Sequence, residues 1–275
     1  MTSQTVTTSP DYSSIKAKQN AAWASGDYAR IGTTLQIVGE TLAEAMNPRP
    51  GSSVLDVAAG NGNATLAFAR RFCEVTSTDY VDALLARGRA RAEAEGQTVA
   101  FQIADAEQLP FENTSFDAVV STFGVMFTPN QAKAAAELLR VCRPGGQIGM
   151  ANWTPEGFIG QVFKTLGRHI APAPGLSSPA LWGTQRFVEQ HFGAQARDIA
   201  IENKAFTFRY RSPEHFIDVF RTYYGPVHKA FLALDPERQG ALAKDLLATI
   251  GSLNLATDGS MQVPSAYLEI IVTKA

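Results

Sequence analysis

The sequence predicts an α/β protein built on a doubly wound, mostly parallel sheet, and three observations lead there. Short apolar runs of strand length alternate with helix-like stretches between residues 54 and 152. The first run, Val54-Leu55-Asp56-Val57-Ala58-Ala59, passes directly into Gly60-Asn61-Gly62 and then into a helix-like segment. Close to the C-terminus, two further strand-like runs bracket a long helical insertion.

Residues 12–47 read as helical, with a break at Ser25-Gly26-Asp27. From Ile31 to Met46 the apolar residues Leu35, Val38, Leu42 and Ala45 recur at helical spacing, and the pattern stops before Pro48 and Pro50. Val54–Ala58 is the first predicted strand and Ala64–Phe72 the first helix of the alternating region. Glu74–Thr78 is the second strand, followed by a helix over Ala83–Glu95 that Gly96 ends. Val99–Ile103 and Phe116–Ser121 are the third and fourth strands. Gln131–Cys142 is an amphipathic helix closed by Pro144-Gly145-Gly146, and Gln147–Asn152 is the fifth strand. Beyond Trp153 come a helix over Phe158–Ile170, the loop APAPGLSSPALWG, a helix over Gln185–Phe192 and a strand over Ile199–Tyr210. Pro213–Leu253 is mostly helical, interrupted at Gly225-Pro226 and Asp235-Pro236, and Ala266–Thr273 is the terminal strand. The organisation predicted is a tail and cap helices over 1–47, a ligand-binding core over 48–153, and a C-terminal half over 154–275. The last belongs to the same domain, with its helical insertion as a lid.

Composition narrows the functional classes. A net charge of −2 supplies no electrostatic reason for nucleic acid as a partner. No apolar run approaches the ~20 residues needed to span a bilayer. The start lacks the apolar core of a secretion signal, so a cytoplasmic location is expected. The first ten or so residues, polar and rich in Ser and Thr, are expected to be disordered. Cys73 and Cys142 stand alone, without CxxC or His spacing, and read as reduced core thiols; no metal site is expected. Oligomeric state is not legible, and a homodimer stays open.

The glycine turn sets the chemistry. Glycines let a ligand lie against the main chain, and Asp79, 17 positions after Gly62 at the end of the second strand, offers a carboxylate to ribose hydroxyls. A dinucleotide would call for a third glycine, but Asn63-Ala64-Thr65 follows Gly62. Asp56, four positions before Gly60, disfavours a polyphosphate and suits a cationic ligand.

The stretch Asp56-Val57-Ala58-Ala59-Gly60-Asn61-Gly62 resembles the glycine motif of the class I S-adenosylmethionine-dependent methyltransferases. Ile103 to Phe111, Phe116 to Ser121 and Leu138 to Ile148 resemble that family's later blocks in the expected order. The resemblance covers roughly residues 50–153 and looks closest to the small-molecule branch that includes ubiquinone and menaquinone biosynthesis methyltransferases. It implies a seven-stranded Rossmann-like sheet with S-adenosylmethionine as cofactor and S-adenosylhomocysteine as product. Gly60 and Gly62 would then make room for the methionine part, with Ala58 and Asn61 beside it. Asp79 would take both ribose hydroxyls and Tyr80 pack on the adenine face, or serve as a core aromatic. Asp105 would accept from the adenine amine, with the Ala106 N–H facing a ring nitrogen, although Asp105 also reads as a turn residue. Ser121, Thr122 and Phe123 would border the sulfonium. Asp56 reads equally as a ligand contact and as a carboxylate that shapes the turn. Tyr28 is the candidate for the methionine carboxylate, Arg30 its alternative, and Trp23 and Tyr28 read equally as packing residues.

Methyl transfer from a sulfonium needs alignment and exclusion of water more than acid catalysis. No base stands out; His215, His228 and Tyr223 in the helical insertion are weak candidates, with Tyr224 beside them. The aromatic content of the insertion (Phe216, Phe220, Tyr223, Tyr224, Phe231) suits a hydrophobic or aromatic small-molecule acceptor, methylated at O, C or N. After the fourth strand stands Ser121-Thr122-Phe123-Gly124, not the N-P-P-Y-type tetrapeptide used in amino methylation of bases or of protein glutamine. Two alternatives remain, a nicotinamide-dependent oxidoreductase and a non-catalytic binder of the same cofactor.

Overall fold

A computed structural model describes residues 10–275; the stretch expected to be disordered lies largely outside them. Helix α1 (Tyr12–Ala24) is capped by the Asp11 side chain, which accepts from the Ser14 N–H at 3.1 Å. The short α2 (Ala29–Gly32) follows the Ser25–Asp27 break and runs through a 3-10 turn into α3 (Gln36–Met46). The alternating region is β1 (Ser53–Val57), α4 (Asn63–Ala69), β2 (Glu74–Asp79), α5 (Asp82–Ala94), β3 (Val99–Ile103), β4 (Phe116–Thr122), α6 (Gln131–Val141) and β5 (Cys142–Trp153). After it come α7 (Phe158–His169), α8 (Gln185–Phe192), β6 (Ala196–Tyr210), α9 (Pro213–Tyr223), α10 (Gly225–Leu232), α11 (Pro236–Gly251) and β7 (Met261–Lys274).

The seven strands form one sheet in the order β3-β2-β1-β4-β5-β7-β6. β1 through β5 pair in parallel, and β7 lies antiparallel between β5 and β6. Strands β1 and β4 are covered on both faces, which is why they read as continuous apolar runs. Val54 and Val120 pack into the cluster under α3 and α4, whereas Leu55, Val57 and Val119 enter the larger cluster on the opposite face. Every residue of α4 is buried, so this short helix belongs to the core.

Two boundaries differ from expectation for identifiable reasons. β5 begins at Cys142, five residues early, because Pro144-Gly145-Gly146 interrupts the strand as an irregularity and does not precede it; the register with β4 shifts at that place. Gly145, at φ +72°, supplies the left-handed residue the excursion needs. β7 begins at Met261, five residues before the expected start, and runs through Pro264. Pro264 faces Thr207 of β6, while pairing with β5 starts only at Tyr267, so its missing N–H falls where no second neighbour needs it. The expected interruptions at Gly225-Pro226 and Asp235-Pro236 are helix starts, with proline in the first turn of α10 and α11. Cys73 and Cys142 are buried free thiols. No helix among the described residues is long and apolar enough to cross a membrane.

Candidate functional site

Strand order reverses at β1, which lies between β2 and β4, and the crevice at the C-terminal tips of these strands is where open α/β sheets bind ligands. The chain leaves β1 through Ala58 at φ +52°, Gly60 at +57° and Gly62 at +82°. Asp79 ties this turn to the tip of β2. One carboxylate oxygen accepts the Gly60 N–H and the other the Val81 N–H, each at 2.9 Å. Each oxygen therefore keeps lone-pair capacity for a ligand. Asp79 is 4% exposed, and burial pushes its carboxyl up to about 6, against the pull of its backbone N–H partners.

Three of the expected contact residues stand behind the turn instead of on the cavity wall. Asp56 accepts the backbone N–H and the hydroxyl of Thr65 on one oxygen, at 2.8 and 2.6 Å, and so holds α4 under the turn. Its other oxygen is buried without a partner among the described residues, and burial pushes the carboxyl up to about 7. Ser121 donates to the Val57 carbonyl at 2.7 Å and accepts the Val125 N–H at 3.0 Å, a brace between β4 and β1. Gly62 caps α4. The cavity wall carries Tyr28, Ala58, Gly60, Asn61, Asp79, Tyr80, Asp105, Ala106, Thr122 and Phe123. At the rim β1 and β4 approach so closely that a Cβ on Gly124 would lie 2.1 Å from the Ala58 carbonyl oxygen. Phe123, itself at φ +57°, stacks on Trp153 with centroids 3.9 Å apart. Two left-handed non-glycine residues, Ala58 and Phe123, thus line one cavity, as backbone strain at functional sites does.

Helix α1 lies across the crevice and has no buried residue. Polar contacts hold it. The Lys16 ammonium is 2.6 Å from Asp105 and 2.6 Å from Glu107, Gln19 donates to the Phe127 carbonyl at 3.1 Å, and Asn20 to the Tyr80 carbonyl at 2.8 Å. Burial works against the Lys16 charge, yet the two carboxylates outweigh it and raise its pKa. The outer oxygen of Asp105 is therefore engaged by Lys16 before any ligand is considered. Trp23 meets Tyr28, Phe127 and Tyr224 edge-on, with centroids 5.1 to 5.7 Å apart.

Beyond Phe123 the cavity turns aromatic, walled by Phe127, Trp153, Phe208, Phe220 and Tyr224 with Ile159. The polar and aromatic ends are continuous, so one cavity runs from the glycine turn to Phe208 and Phe220. None of the weak catalytic candidates lines it. His215 accepts the Arg211 N–H at 3.3 Å, His228 lies 2.8 Å from the Arg221 carbonyl oxygen, and Tyr223 turns outward beneath the Arg30 guanidinium. Arg30, the alternative partner for a carboxylate, is likewise off the cavity wall. Sequence reasoning did not find Lys16, Gln19, Trp153 or Phe208, and named Tyr224 only as a neighbour; none sits in a motif.

The polar end has the marks of a ligand cradle. Among the described residues the Asn61 amide nitrogen is buried without a partner, and the Tyr28 ring lines the cavity beside it. A side chain on Gly60 would extend toward the Tyr28 ring, 3.5 Å from a Cβ, and fill the space between. Backbone N–H groups, a buried carboxylate and an unpartnered amide donor fit a nucleoside bearing an amino acid.

A doubly wound sheet with a glycine turn and an acidic β2 tip at its switch point defines a nucleoside-binding α/β protein. Residues 54–146 match the family described as a methyltransferase domain. The uncharacterized protein Rv1403c of Mycobacterium tuberculosis is 38% identical over 243 residues, covering 87% of this chain and 89% of that one. Demethylmenaquinone methyltransferase of Clavibacter sepedonicus is 33% identical over 156 residues, 54% of this chain and 63% of that one. Among solved structures, the YcgJ protein of Bacillus subtilis superposes with a TM-score of 0.59 at 19% identity over 88% of this chain and 98% of its own, a likeness of fold. The chain belongs to the class I S-adenosylmethionine-dependent methyltransferases.

Proposed function

We propose that this enzyme transfers the methyl group of S-adenosylmethionine to a small, apolar or aromatic acceptor by in-line displacement. The single observation that carries this reading is the division of one cavity into a polar end built on the glycine turn and an aromatic end built on β4, β5, β6 and α9. In the proposed roles, Asp79 holds the ribose and Tyr80 borders the adenine. Asp105 and Ala106 receive the adenine edge, so Lys16 shares Asp105 with the ligand. Gly60, Asn61 and Tyr28 receive the methionyl group. Thr122 and Phe123 stand between the two ends, where the methyl would pass.

When bound, S-adenosylmethionine supplies a methyl on a positively charged sulfur with a neutral thioether as leaving group. The protein positions both partners and keeps water out. Phe123 stacked on Trp153, and Trp23 wedged among Tyr28, Phe127 and Tyr224, close the aromatic end. Asp56, Gly62 and Ser121 act indirectly by fixing the turn. Calorimetric titration with S-adenosylmethionine and with NADH tests the cofactor, and labelled-methyl turnover over a panel of apolar acceptors tests the reaction. Binding of NADH in place of S-adenosylmethionine would overturn the reading. S-adenosylmethionine binding without turnover of any acceptor would reduce the protein to a binder.

A further inference from the structure

We propose that the methyl acceptor is an acidic hydroxyl compound, a phenol or enol on a flat apolar body, which reacts as its anion without a base from the protein. This acceptor class presupposes the methyl transfer stated above and narrows it. The ionisable groups on the cavity wall are Lys16, Tyr28, Asp79, Tyr80, Asp105 and Tyr224. Lys16 is committed to Asp105 and Glu107, and Asp79 to the Gly60 and Val81 N–H groups. Burial holds the phenols of Tyr28, Tyr80 and Tyr224 above the ordinary tyrosine value, so they are neutral donors near pH 7. Behind the aromatic wall, Tyr210 and Tyr267 are raised by burial too, and Lys204 closes on Glu269. The four histidines are elsewhere: His169 lies 2.9 Å from Asp245, His191 packs at a tilt against the Phe187 ring, and His215 and His228 face main-chain groups of their own segment. Among the described residues, nothing at the aromatic end can accept a proton near neutral pH.

Charge bookkeeping then separates the acceptor classes. A neutral amine would move the positive charge from sulfur to nitrogen and leave a cation at the aromatic end, where no carboxylate lines the wall among the described residues. An anionic oxygen, its proton already lost to solvent, forms the O–CH3 bond with its own electron pair while the S–CH3 pair returns to sulfur. Both products are neutral. Attack through the conjugated carbon of the same anion balances identically and gives the neutral keto form. Opposite charges that vanish in the transition state are favoured by a wall of low polarity. The Tyr224 hydroxyl is the donor for the anion. It belongs to a buried residue on the cavity wall, whose ring lies 5.1 Å from Phe220 and 5.3 Å from Trp23.

The test uses 4-nitrophenol, whose acid and anion absorb differently, and its isostere 4-nitroaniline. Calorimetry first establishes binding of S-adenosylmethionine and of S-adenosylhomocysteine; failure there overturns the methyl-transfer reading itself. The probe's spectrum is then followed from about pH 5 to 9 in two complexes, one with neutral S-adenosylhomocysteine and one with a non-transferable analogue carrying a cationic amine in place of the methyl-sulfonium. The anion-to-acid ratio of the bound probe should be about tenfold or more higher beside the cation. Tyr224→Phe should weaken anion binding about three- to tenfold with cofactor affinity unchanged. With S-adenosylmethionine, methylation of the phenol should rise with its ionised fraction and be unaffected in His215→Ala and His228→Ala, and the aniline should not be methylated. Binding of the neutral phenol in both complexes, equal methylation of the aniline, or retention of cofactor without either probe would each overturn it.

Discussion

Asp56 provides a test of how burial, and not ligand contact, shapes the glycine turn. Asp56 is 1% exposed, with one carboxyl oxygen held by Thr65 and the other without a partner among the described residues. Burial chiefly, and to a lesser extent the nearby Asp79 charge, push its pKa up to about 7 despite the two Thr65 bonds. A raised carboxyl keeps its proton in the folded protein at pH values where the unfolded chain has lost it. The associated stability is therefore complete below about pH 4 and is lost as pH rises through about 7. The gap between about 7 and 3.8 sets an upper bound of about 4 kcal/mol at pH 8. Asp56→Asn keeps a carbonyl oxygen for both Thr65 donors and cannot ionise. Urea unfolding of the cofactor-free protein should show the variant more stable than the parent by about 1 to 4 kcal/mol at pH 8, with the difference shrinking toward pH 5. S-adenosylhomocysteine affinity should stay within about threefold, because the carboxylate is off the wall. A variant less stable at pH 8, or one unable to bind S-adenosylhomocysteine, would refute the reasoning and make Asp56 a required anion.

Asp79→Ala should weaken S-adenosylmethionine binding by about 1.5–3 kcal/mol in calorimetry through loss of charge-assisted hydrogen bonds; unchanged affinity would remove Asp79 from the ribose site. Gly60→Val should abolish binding while far-ultraviolet circular dichroism stays native, since a branched side chain is strained at φ +57° and grows toward Tyr28; retained binding would show that the turn is no cradle. Tyr28→Phe should lower cofactor affinity roughly five- to tenfold with the unfolding midpoint nearly unchanged, because the ring that packs against Trp23 is kept and the lost hydroxyl borders the cavity. An unaltered affinity would reduce Tyr28 to packing.

What the sequence revealed and what it concealed divide along a physical line. The parallel sheet was legible because strands buried on both faces carry an unbroken apolar signal. The glycine turn and Asp79 were legible because backbone geometry at strand tips constrains residues near one another in the chain. The aromatic end is assembled from positions spread between Trp23 and Tyr224, joined only by folding, and each of its rings reads locally as ordinary core. A one-residue change of phase decides which tyrosine reaches the cavity: α9 ends at Tyr223, which faces Arg30, and the extended Tyr224 that follows lines the cavity. Lys16 gave no signal because a lone lysine on a polar helix has no partner visible in sequence. The long terminal strand was hidden by Pro264, whose tolerance depends on an absent neighbour strand.

That division bears on how such an enzyme can change its substrate. The polar end depends on left-handed residues at 58, 60, 62 and 123 and on backbone N–H groups fixed by Asp79, features that few substitutions leave intact. The aromatic end takes part of its side-chain volume from β6, which joins the sheet beside β7 and apart from β1, β2 and β4, and from α9 packed on it. Replacing Phe208 or Phe220 alters the aromatic end of the cavity without touching the turn, at the stability cost of a buried aromatic, about 3–5 kcal/mol for truncation to alanine. Volume-conserving exchanges cost less. The aromatic end can therefore change without disturbing the glycine turn, and α1, held by Lys16, Gln19 and Asn20 with no buried residue of its own, is tied to the cavity by polar contacts.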